Sequence, residues 1–285
     1  MKFIGALMVL LLPALAHAQT APDTLAHIEE TGEFTIGYRT THPPVSFADA
    51  TGLATGYSVA ICDRIAADVK ATLGRDDITV TYVAVGAQDR FDKIEDGTID
   101  ILCGATTKTL SRMERVGFTQ LTLLTGGTFL SLNENRVDRV ADLAGKRVAV
   151  AAGTTTEASL ISAIERAGIE AEIVSMASAE AGLDALNADE VAAYASDQVV
   201  LVGQVMSQTS GDKNYYLSSN FFSFEPYALA IKRGDADFAL VADRSISRLF
   251  RSGEITDVYS EFFGPFGLKP PNTLQTLYRL MSTPE

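Results

Sequence analysis

The sequence is poor in the residues that usually coordinate metals or carry nucleophilic chemistry. Its 285 residues include two cysteines, three histidines and no tryptophan. The histidines, His17, His27 and His42, are scattered, and neither they nor the cysteines show the spacing of a metal site. No cysteine–histidine pair suited to nucleophilic catalysis is apparent. We therefore expect no metal, no cofactor and no catalytic residue of this kind.

Positive charge is also scarce in this chain. The sequence has 23 lysine and arginine residues against 36 aspartate and glutamate residues, which gives a formal net charge of -13. Such an acidic surface argues against nucleic acid or anionic lipid as a partner. A small anion remains compatible with this charge, because a cleft can carry a local field opposite in sign to that of the whole protein.

Long apolar runs are absent after the first residues. The chain opens with a positive residue, Lys2, followed by an apolar stretch from Phe3 to Leu15 and by the small-residue site Ala16-His17-Ala18. This stretch is too short to cross a membrane, and its pattern is typical of a secretory signal peptide. We therefore predict a signal peptide over residues 1–18, cleaved after Ala18, and an exported mature protein.

The two cysteines suggest a disulfide bond. Cys62 lies on the first long helix-like stretch, and Cys103 ends a strand-like run that would pack beneath it. In an oxidising compartment an even number of cysteines favours pairing. The alternative is that both are buried free thiols.

Strand-like runs alternate with helical patterns along the chain, which predicts an α/β protein with mostly parallel sheets. Two similar starts, "EFTIGYR" and "KRVAVAAGTTTE", predict two lobes. The long β-rich segments "FTQLTLLTGGTFLSLN" and "NFFSFEPYALAIKR" would serve as paired crossovers between them. We therefore predict a first lobe from residues 19–125, a second lobe from residues 126–223, and a return to the first lobe over residues 224–285.

Three arginines, Arg39, Arg90 and Arg112, each follow a strand-like run. Ligands of open α/β sheets bind beyond the carboxyl ends of the strands, where these residues would lie. Guanidinium groups bind carboxylates through two parallel hydrogen bonds and stay charged when desolvated. Their convergence would form a receptor for a small molecule with one or two carboxylates. The alternative is that each is a surface residue paired with a nearby acid, for example Arg112 with Glu114.

Threonines follow a strand at the start of the predicted second lobe. Thr154 and Glu157 fit a capping box, in which the threonine caps the helix and the glutamate reaches back. The free N–H groups at this helix end could hold a carboxylate, and the hydroxyls of Thr155 and Thr156 would add donors. The alternative is a helix cap without a ligand.

Two further polar segments follow strands in the same way. Thr106 and Thr107 come after the strand that ends at Cys103, and Thr109 can cap a short helix that carries Arg112. Asp197 follows an apolar strand and opens a helical pattern, where it would either cap the helix or bind a ligand ammonium. An acid opposite several arginines describes a site for a zwitterion.

Taken together, these segments resemble the periplasmic solute-binding proteins of ABC transporters, in the polar amino-acid-binding family (family 3), and within it the glutamate/aspartate-binding proteins. The resemblance runs from about Leu25 to Gly264. It implies a two-lobed type II periplasmic-binding-protein fold, each lobe a mixed, mostly parallel sheet flanked by helices. It also implies a periplasmic monomer with an amino-acid ligand and a membrane permease as partner. The segments that carry it are "GYSVAICDRIA", "FDKIEDGTIDILCGATTKTLSRMERVGFT", "ADLAGKRVAVAAGTTTE" and "FFSFEPYALAIKRGDADFALVADRSISRLFRSGEITDVYSEFF".

The resemblance also implies roles for the residues described above. Arg112 would bind the ligand α-carboxylate and Asp197 its ammonium. Thr107 and Thr154–Thr156 would complete that end of the site with hydroxyl and amide contacts. Arg39 and Arg90 match the positions where acidic-amino-acid binders hold the side-chain carboxylate.

The chain departs from the acidic binders at four positions. It has Ala87 and Ala105 where they carry serine, Ala179 near where they carry histidine, and Val45 in place of an aromatic residue. These differences leave a related acid, or an amide such as glutamine or asparagine, open as the ligand.

Two alternative functions use the same fold. Periplasmic dehydratases that act on cyclic carboxylates such as prephenate or arogenate resemble it, and such an enzyme would need a positioned acid or base. The candidate carboxylates are Asp89, Asp197 and Glu225. A ligand-sensing module for a membrane receptor would use the same site with another partner. We expect a binding protein rather than an enzyme.

Overall fold

The computed structural model describes residues 23–207 and 213–285. The predicted signal peptide, residues 1–18, lies outside the described residues. Among the described residues, no helix combines the length and apolar character needed to cross a membrane.

Strands and helices alternate along most of the chain, as predicted. The strands are β1 (Glu33–Tyr38), β2 (Thr41–His42), β3 (Ser46–Ala48), β4 (Ala54–Thr55), β5 (Thr79–Ala84), β6 (Ile101–Cys103), β7 (Val116–Thr125), β8 (Gly127–Leu132), β9 (Arg147–Ala151), β10 (Glu172–Met176), β11 (Ala193–Asp197), β12 (Tyr215–Leu217) and β13 (Glu225–Lys232). The helices are α1 (Thr24–Thr31), α2 (Tyr57–Leu73), α3 (Arg90–Glu95), α4 (Leu110–Met113), α5 (Thr155–Ala167), α6 (Ala179–Asn187), α7 (Gln198–Ser207), α8 (Ala236–Ser252), α9 (Glu254–Phe263) and α10 (Asn272–Leu280).

The strands form two five-stranded sheets of similar design. The first has the order β5-β1-β6-β13-β7 and the second the order β10-β9-β11-β8-β12. In each sheet a single strand runs against the other four: β13 in the first and β8 in the second. The prediction of two α/β units with mixed, mostly parallel sheets is therefore confirmed. We call the parts built around these sheets the first lobe and the second lobe.

The first lobe has the larger apolar core. Helices α2, α8 and α9 cover one face of its sheet, and their buried side chains form one cluster with those of β1, β6 and β13. The predicted disulfide joins Cys62 of α2 to Cys103 at the end of β6, which fastens this helix to the sheet beneath it.

The chain passes between the two sheets at two adjacent points. Gly126 alone separates β7 in the first sheet from β8 in the second. The returning segment packs against it: Phe222 N donates to Gly127 O at 2.9 Å, and Gly127 N donates to Ser223 Oγ at 3.1 Å. A Cβ atom at Gly126 would lie 2.6 Å from the ring of Phe221. The lobe boundaries near residues 125 and 224 remain a proposal, which these changes of sheet support.

Three features of the fold lie outside the sequence prediction. Helices α1 and α10 bracket the first lobe at the two ends of the described chain, and β2, β3 and β4 form a small three-stranded sheet after β1. These strands are two or three residues long, and strands of that length carry too little alternation for a sequence pattern to show.

The lobes contact each other directly through α7. Gly203 of this helix is buried against the loop of the first lobe that contains Pro43, and a Cβ atom at position 203 would overlap the Pro43 carbonyl. The lobes can approach this closely because residue 203 is a glycine and has no side chain.

We predict that Gly203→Ala holds the lobes apart, because helix α7 can no longer seat on the Pro43 loop. Small-angle X-ray scattering should show a larger radius of gyration than for the unaltered protein. Gly264→Ala is the matched control, since this glycine also has helical backbone angles and a Cβ atom there would meet open space. An unchanged scattering profile for Gly203→Ala would contradict the prediction.

Candidate functional site

A cavity lies between the lobes, at the carboxyl ends of strands from both sheets. It brings together the predicted residues of both lobes, with the exception of Thr106. Its lining residues are Arg39, His42, Arg90, Ala105, Thr107, Arg112, Ala151, Thr154, Thr155, Thr156, Ala179, Ala195, Ser196, Asp197 and Val200.

Arg39 and Arg90 are buried in this cavity without a carboxylate partner. Their exposed fractions are 7% and 2%, and among the described residues neither forms an ion pair. Nε of Arg90 is buried with no hydrogen-bond partner. Surface arginines behave differently: Arg75 pairs with Asp77, for example. The alternative of exposed, paired arginines is therefore wrong for these two residues.

Burial shapes the charge state of this end of the cavity. It lowers the pKa of Arg39 to about 10, so the guanidinium stays charged at neutral pH. Burial, followed by the charges of Arg112 and Arg39, also lowers the pKa of Arg90. The pKa of His42 falls well below its usual range for the same reasons, burial first and the two neighbouring arginines next. The cavity thus presents a neutral imidazole beside two buried cations.

Arg112 is held in place by its own loop and by an aromatic ring. Thr109 caps α4 by accepting from Arg112 N at 3.2 Å, as predicted. The guanidinium donates from Nη1 to Thr107 O at 2.8 Å and lies 5.4 Å from the ring centre of Phe91. The suggested surface pair with Glu114 does not form. Burial lowers the pKa of Arg112, against the opposing influence of Glu225 and Asp197.

The start of α5 supplies threonines from the second lobe. Thr154 caps the helix, accepting from Glu157 N at 3.1 Å. Glu157 reaches back to Gly153 N at 2.8 Å, one residue before the predicted partner. The chain turns at Gly153, whose φ of 73° is in the left-handed region, and this turn presents its N–H to the carboxylate.

Asp197 ends β11 rather than opening α7. The register pairs it with Gly127 of β8, so the sheet extends to this residue and the helix begins at Gln198. Its Oδ1 accepts from Thr156 Oγ1 at 2.8 Å, and its Oδ2 accepts from the Tyr227 hydroxyl. Burial, and next the charge of Glu225, raises the pKa of Asp197 to about 6. The carboxylate is thus ionised at neutral pH and faces the arginines.

Thr106 lies outside the cavity because of its place in the extended chain. Thr107 bridges Tyr227 of β13, and neighbouring side chains of an extended segment point to opposite sides. Thr106 is buried behind the wall, where its carbonyl accepts from Ala228 N at 3.1 Å. The sequence correctly indicated the segment, but the alternation places only one of the two threonines in the cavity.

A family model described as bacterial extracellular solute-binding proteins, family 3, matches residues 34–265. The chain belongs to this family.

Several relatives resemble this solute-binding protein over most of its length. The L-glutamate/L-aspartate-binding protein of Pseudomonas aeruginosa is 30% identical over 261 residues, covering 90% of this chain and 85% of that protein. The glutamate/aspartate import solute-binding protein of Salmonella typhimurium is 28% identical and covers 98% and 93%. The solute receptor for L-cysteine of Neisseria gonorrhoeae has a TM-score of 0.76 at 24% identity, over 86% of this chain and 97% of that chain. The predicted type II periplasmic-binding-protein fold is therefore confirmed.

The positions at which this solute-binding protein departs from the acidic binders fall into two groups. Ala105 and Ala179 line the cavity, so its wall presents a methyl group at both positions. Val45 is fully buried in the core of the first lobe, and Ala87 lies outside the cavity lining. Two of the four positions at which we expect a departure from the acidic binders thus lie in the cavity wall.

Several residues of the site are not among those predicted as ligand-binding, and three of them have polar groups that bear on the chemistry. His42 lines the cavity, Tyr227 donates to Asp197, and Glu225 accepts from threonines of both lobes. The sequence indicates Glu225 only as a candidate carboxylate of an enzyme. Its signal in the sequence is a lone acid within the apolar crossover "NFFSFEPYALAIKR".

We predict that Asp197→Asn raises the free energy of unfolding at pH 8 by roughly 1–3 kcal/mol. The pKa of Asp197 is higher in the folded protein, about 6, than its ordinary value of 3.8, so the buried carboxylate costs stability above pH 6. That cost disappears below pH 4, where both states are protonated. Urea unfolding at pH 8, 6 and 4 should show the gain shrinking as the pH falls. The control is Asp76→Asn, because this aspartate is exposed and forms no ion pair among the described residues. A loss of stability at pH 8 would contradict the account.

Proposed function

We propose that this protein is the substrate-binding component of an amino-acid ABC transporter, and that its ligand is an acidic amino acid such as glutamate or aspartate. The observation that carries the proposal is the set of three guanidinium groups that face one interlobe cavity without a carboxylate ion-pair partner. Buried charges are retained in proteins when they are paired, so this set calls for an anionic ligand.

The charges around the cavity favour a ligand with a net negative charge. Three guanidinium groups lie near two carboxylates, that of Asp197 in the cavity and that of Glu225 behind its wall, which leaves an excess of one positive charge. A third carboxylate, Asp89, also acts on Arg39, but its own charge is paired with Lys93. Glutamate and aspartate carry one net negative charge at neutral pH and would balance it. A neutral amide would leave one guanidinium uncompensated in a desolvated site, where such a charge is costly. This argument favours an acid over an amide despite the alanines at positions 105 and 179.

The positions of the charged groups support a role for each. Arg112 would bind the α-carboxylate, and Asp197 on the opposite lobe would bind the ammonium. Arg39 and Arg90 would hold the side-chain carboxylate, for which the free Nε of Arg90 is one available donor. The Pseudomonas and Salmonella relatives are named for binding or importing glutamate and aspartate, which supports the proposed class of ligand.

Capture would occur by closure of the two lobes. Ligand partners lie on both sides of the cleft, and Thr155 of the second lobe lies 3.2 Å from Thr107 of the first, measured between the Oγ1 atoms. A ligand that bridges both lobes favours the closed state because only that state gives each of its charges a complete set of partners. We further propose that the protein is an exported, periplasmic monomer that delivers the ligand to a membrane permease.

A dehydratase would need a carboxyl group in the cavity that is free to act as an acid or a base. Asp89 lies outside the cavity lining, where it pairs with Lys93 at 2.8 Å. The carboxylate oxygens of Asp197 and Glu225 already accept hydrogen bonds from hydroxyl groups of the protein. We therefore propose binding without turnover. Product formation from prephenate or arogenate would overturn this part of the proposal.

We predict that the unaltered protein binds glutamate or aspartate more tightly than glutamine or asparagine, and that Arg39→Ala removes most of this preference. Loss of one charge-assisted contact should weaken glutamate binding by about 10- to 100-fold and glutamine binding much less. Isothermal titration calorimetry with the four ligands measures both effects. Arg147→Ala is the control, because this exposed arginine pairs with Glu172 away from the cavity. Equal losses for glutamate and glutamine would remove the role assigned to Arg39.

Arg112→Ala should act on every amino-acid ligand alike, since the α-carboxylate is common to all of them. We predict a loss of more than about 100-fold for acids and amides, larger than the loss from Arg39→Ala. The same titrations measure it. If Arg112→Ala still binds acids or amides with nearly unchanged affinity, the α-carboxylate does not bind to Arg112 and the prediction is wrong.

A further inference from the structure

Glu225 lies at the wall between the cavity and the solvent. It is the first residue of β13, its exposed fraction is 1%, and it lines an outer cleft next to the cavity. This cleft and the cavity share four residues, namely Thr107, Arg112, Thr154 and Thr155. Glu225 therefore sits directly behind side chains that a ligand would contact.

Three hydroxyl groups converge on the carboxylate of Glu225. Its Oε2 accepts from Thr107 Oγ1 at 2.6 Å and from Thr155 Oγ1 at 2.7 Å, while its Oε1 accepts from Ser223 Oγ at 2.6 Å. An ionised carboxylate only accepts hydrogen bonds, so each of these contacts uses the single proton of its hydroxyl. Thr155 Oγ1 also lies 3.2 Å from Thr107 Oγ1, but the shorter contacts to the carboxylate take both threonine protons. Thr107 belongs to the first lobe and Thr155 to the second, so the contact also spans the cleft.

This arrangement fixes what the two threonines offer to the cavity. A hydroxyl has one proton and two lone pairs, and here the proton of each threonine points to Glu225. Toward the cavity, Thr107 and Thr155 therefore present lone pairs. Asp197, across the same space, presents a carboxylate. Thr107, Thr155 and Asp197 consequently form a cluster of acceptors beside the Arg112 guanidinium, whereas the sequence predicted hydroxyl donors for a ligand carboxylate.

We propose that Glu225 is a positioning residue that holds Thr107 and Thr155 as acceptors and thereby selects ligands with a primary ammonium group. An ammonium has three N–H donors, which match the two hydroxyl oxygens and the Asp197 carboxylate. A dicarboxylate without the amino group would face uncompensated acceptors there, and unpaired buried polar groups are a strong basis for rejection. The inference rests on the proposed function, whose site it completes.

The test compares L-glutamate with glutarate, which has the same two carboxylates and no amino group. Isothermal titration calorimetry of the unaltered protein should give at least 100-fold tighter binding of glutamate. Glu225→Gln places an amide donor against the threonines, so their protons can turn to the cavity. We expect the glutamate preference to fall at least tenfold. Ser223→Ala is the matched control, because it removes one partner of Glu225 and leaves both threonine contacts; its preference should be unchanged.

A double-mutant cycle separates positioning from the mere loss of a charge. Thr155→Val removes one acceptor and should also reduce the preference at least tenfold. If Glu225 acts through Thr155, the effects of Glu225→Gln and Thr155→Val on the preference will not add in the double variant. If Glu225→Gln acts only by removing a negative charge, its effect on the preference and that of Thr155→Val will add in the double variant.

The outcomes distinguish the two proposals. An unaltered protein that binds neither glutamate nor aspartate would overturn the proposed function. Glutamate binding with an unchanged preference in Glu225→Gln, or additive effects in the cycle, would overturn the role of Glu225 alone. If Glu225→Gln fails to fold, an unchanged preference in Thr155→Val would overturn it as well.

Discussion

The rest of this structure depends on three guanidinium groups that face one cavity without carboxylate ion-pair partners, of which those of Arg39 and Arg90 are buried and that of Arg112 is half-buried. Desolvating a cation costs several kcal/mol unless an anion and hydrogen bonds compensate it. The protein itself supplies no anion in direct contact with these cations, and a bound anionic ligand would supply one. The cost of this desolvation shows in the lowered pKa values of Arg39 and Arg90. A ligand carboxylate beside these guanidinium groups would offset that cost.

The topology explains how one site can receive groups from so many parts of the chain. Parallel strands of both sheets end at the cleft, so the loops after β1, β5, β6 and β9 deliver their polar residues to the same place. The strand β13 runs against its neighbours, and its first residue, Glu225, therefore reaches the same edge. The crossover that connects the lobes is thus also a wall of the site.

Sequence reasoning was most successful where a strong strand pattern ends in a charged residue. Arg39 and Asp197 are predicted in this way, and Arg112 from the helix-like stretch that follows a strand. The disulfide is predicted from the even number of cysteines in an exported chain and from their places on a helix and a strand. It was less successful where the fold decides the outcome. Thr106 and Thr107 look alike in sequence, and only the pairing of Thr107 with Tyr227 shows which one faces the cavity. The proposed role of Glu225 depends on its contact with Thr155 of the other lobe, and no local sequence pattern predicts a contact between lobes.

The most direct test of the central claim is a crystal structure with L-glutamate bound. Our account predicts the ligand in the interlobe cavity, its α-carboxylate on Arg112, its ammonium on Asp197 and its side-chain carboxylate on Arg39 and Arg90, all at about 3 Å. A ligand bound elsewhere, or guanidinium groups paired with carboxylates of the protein itself, would contradict it.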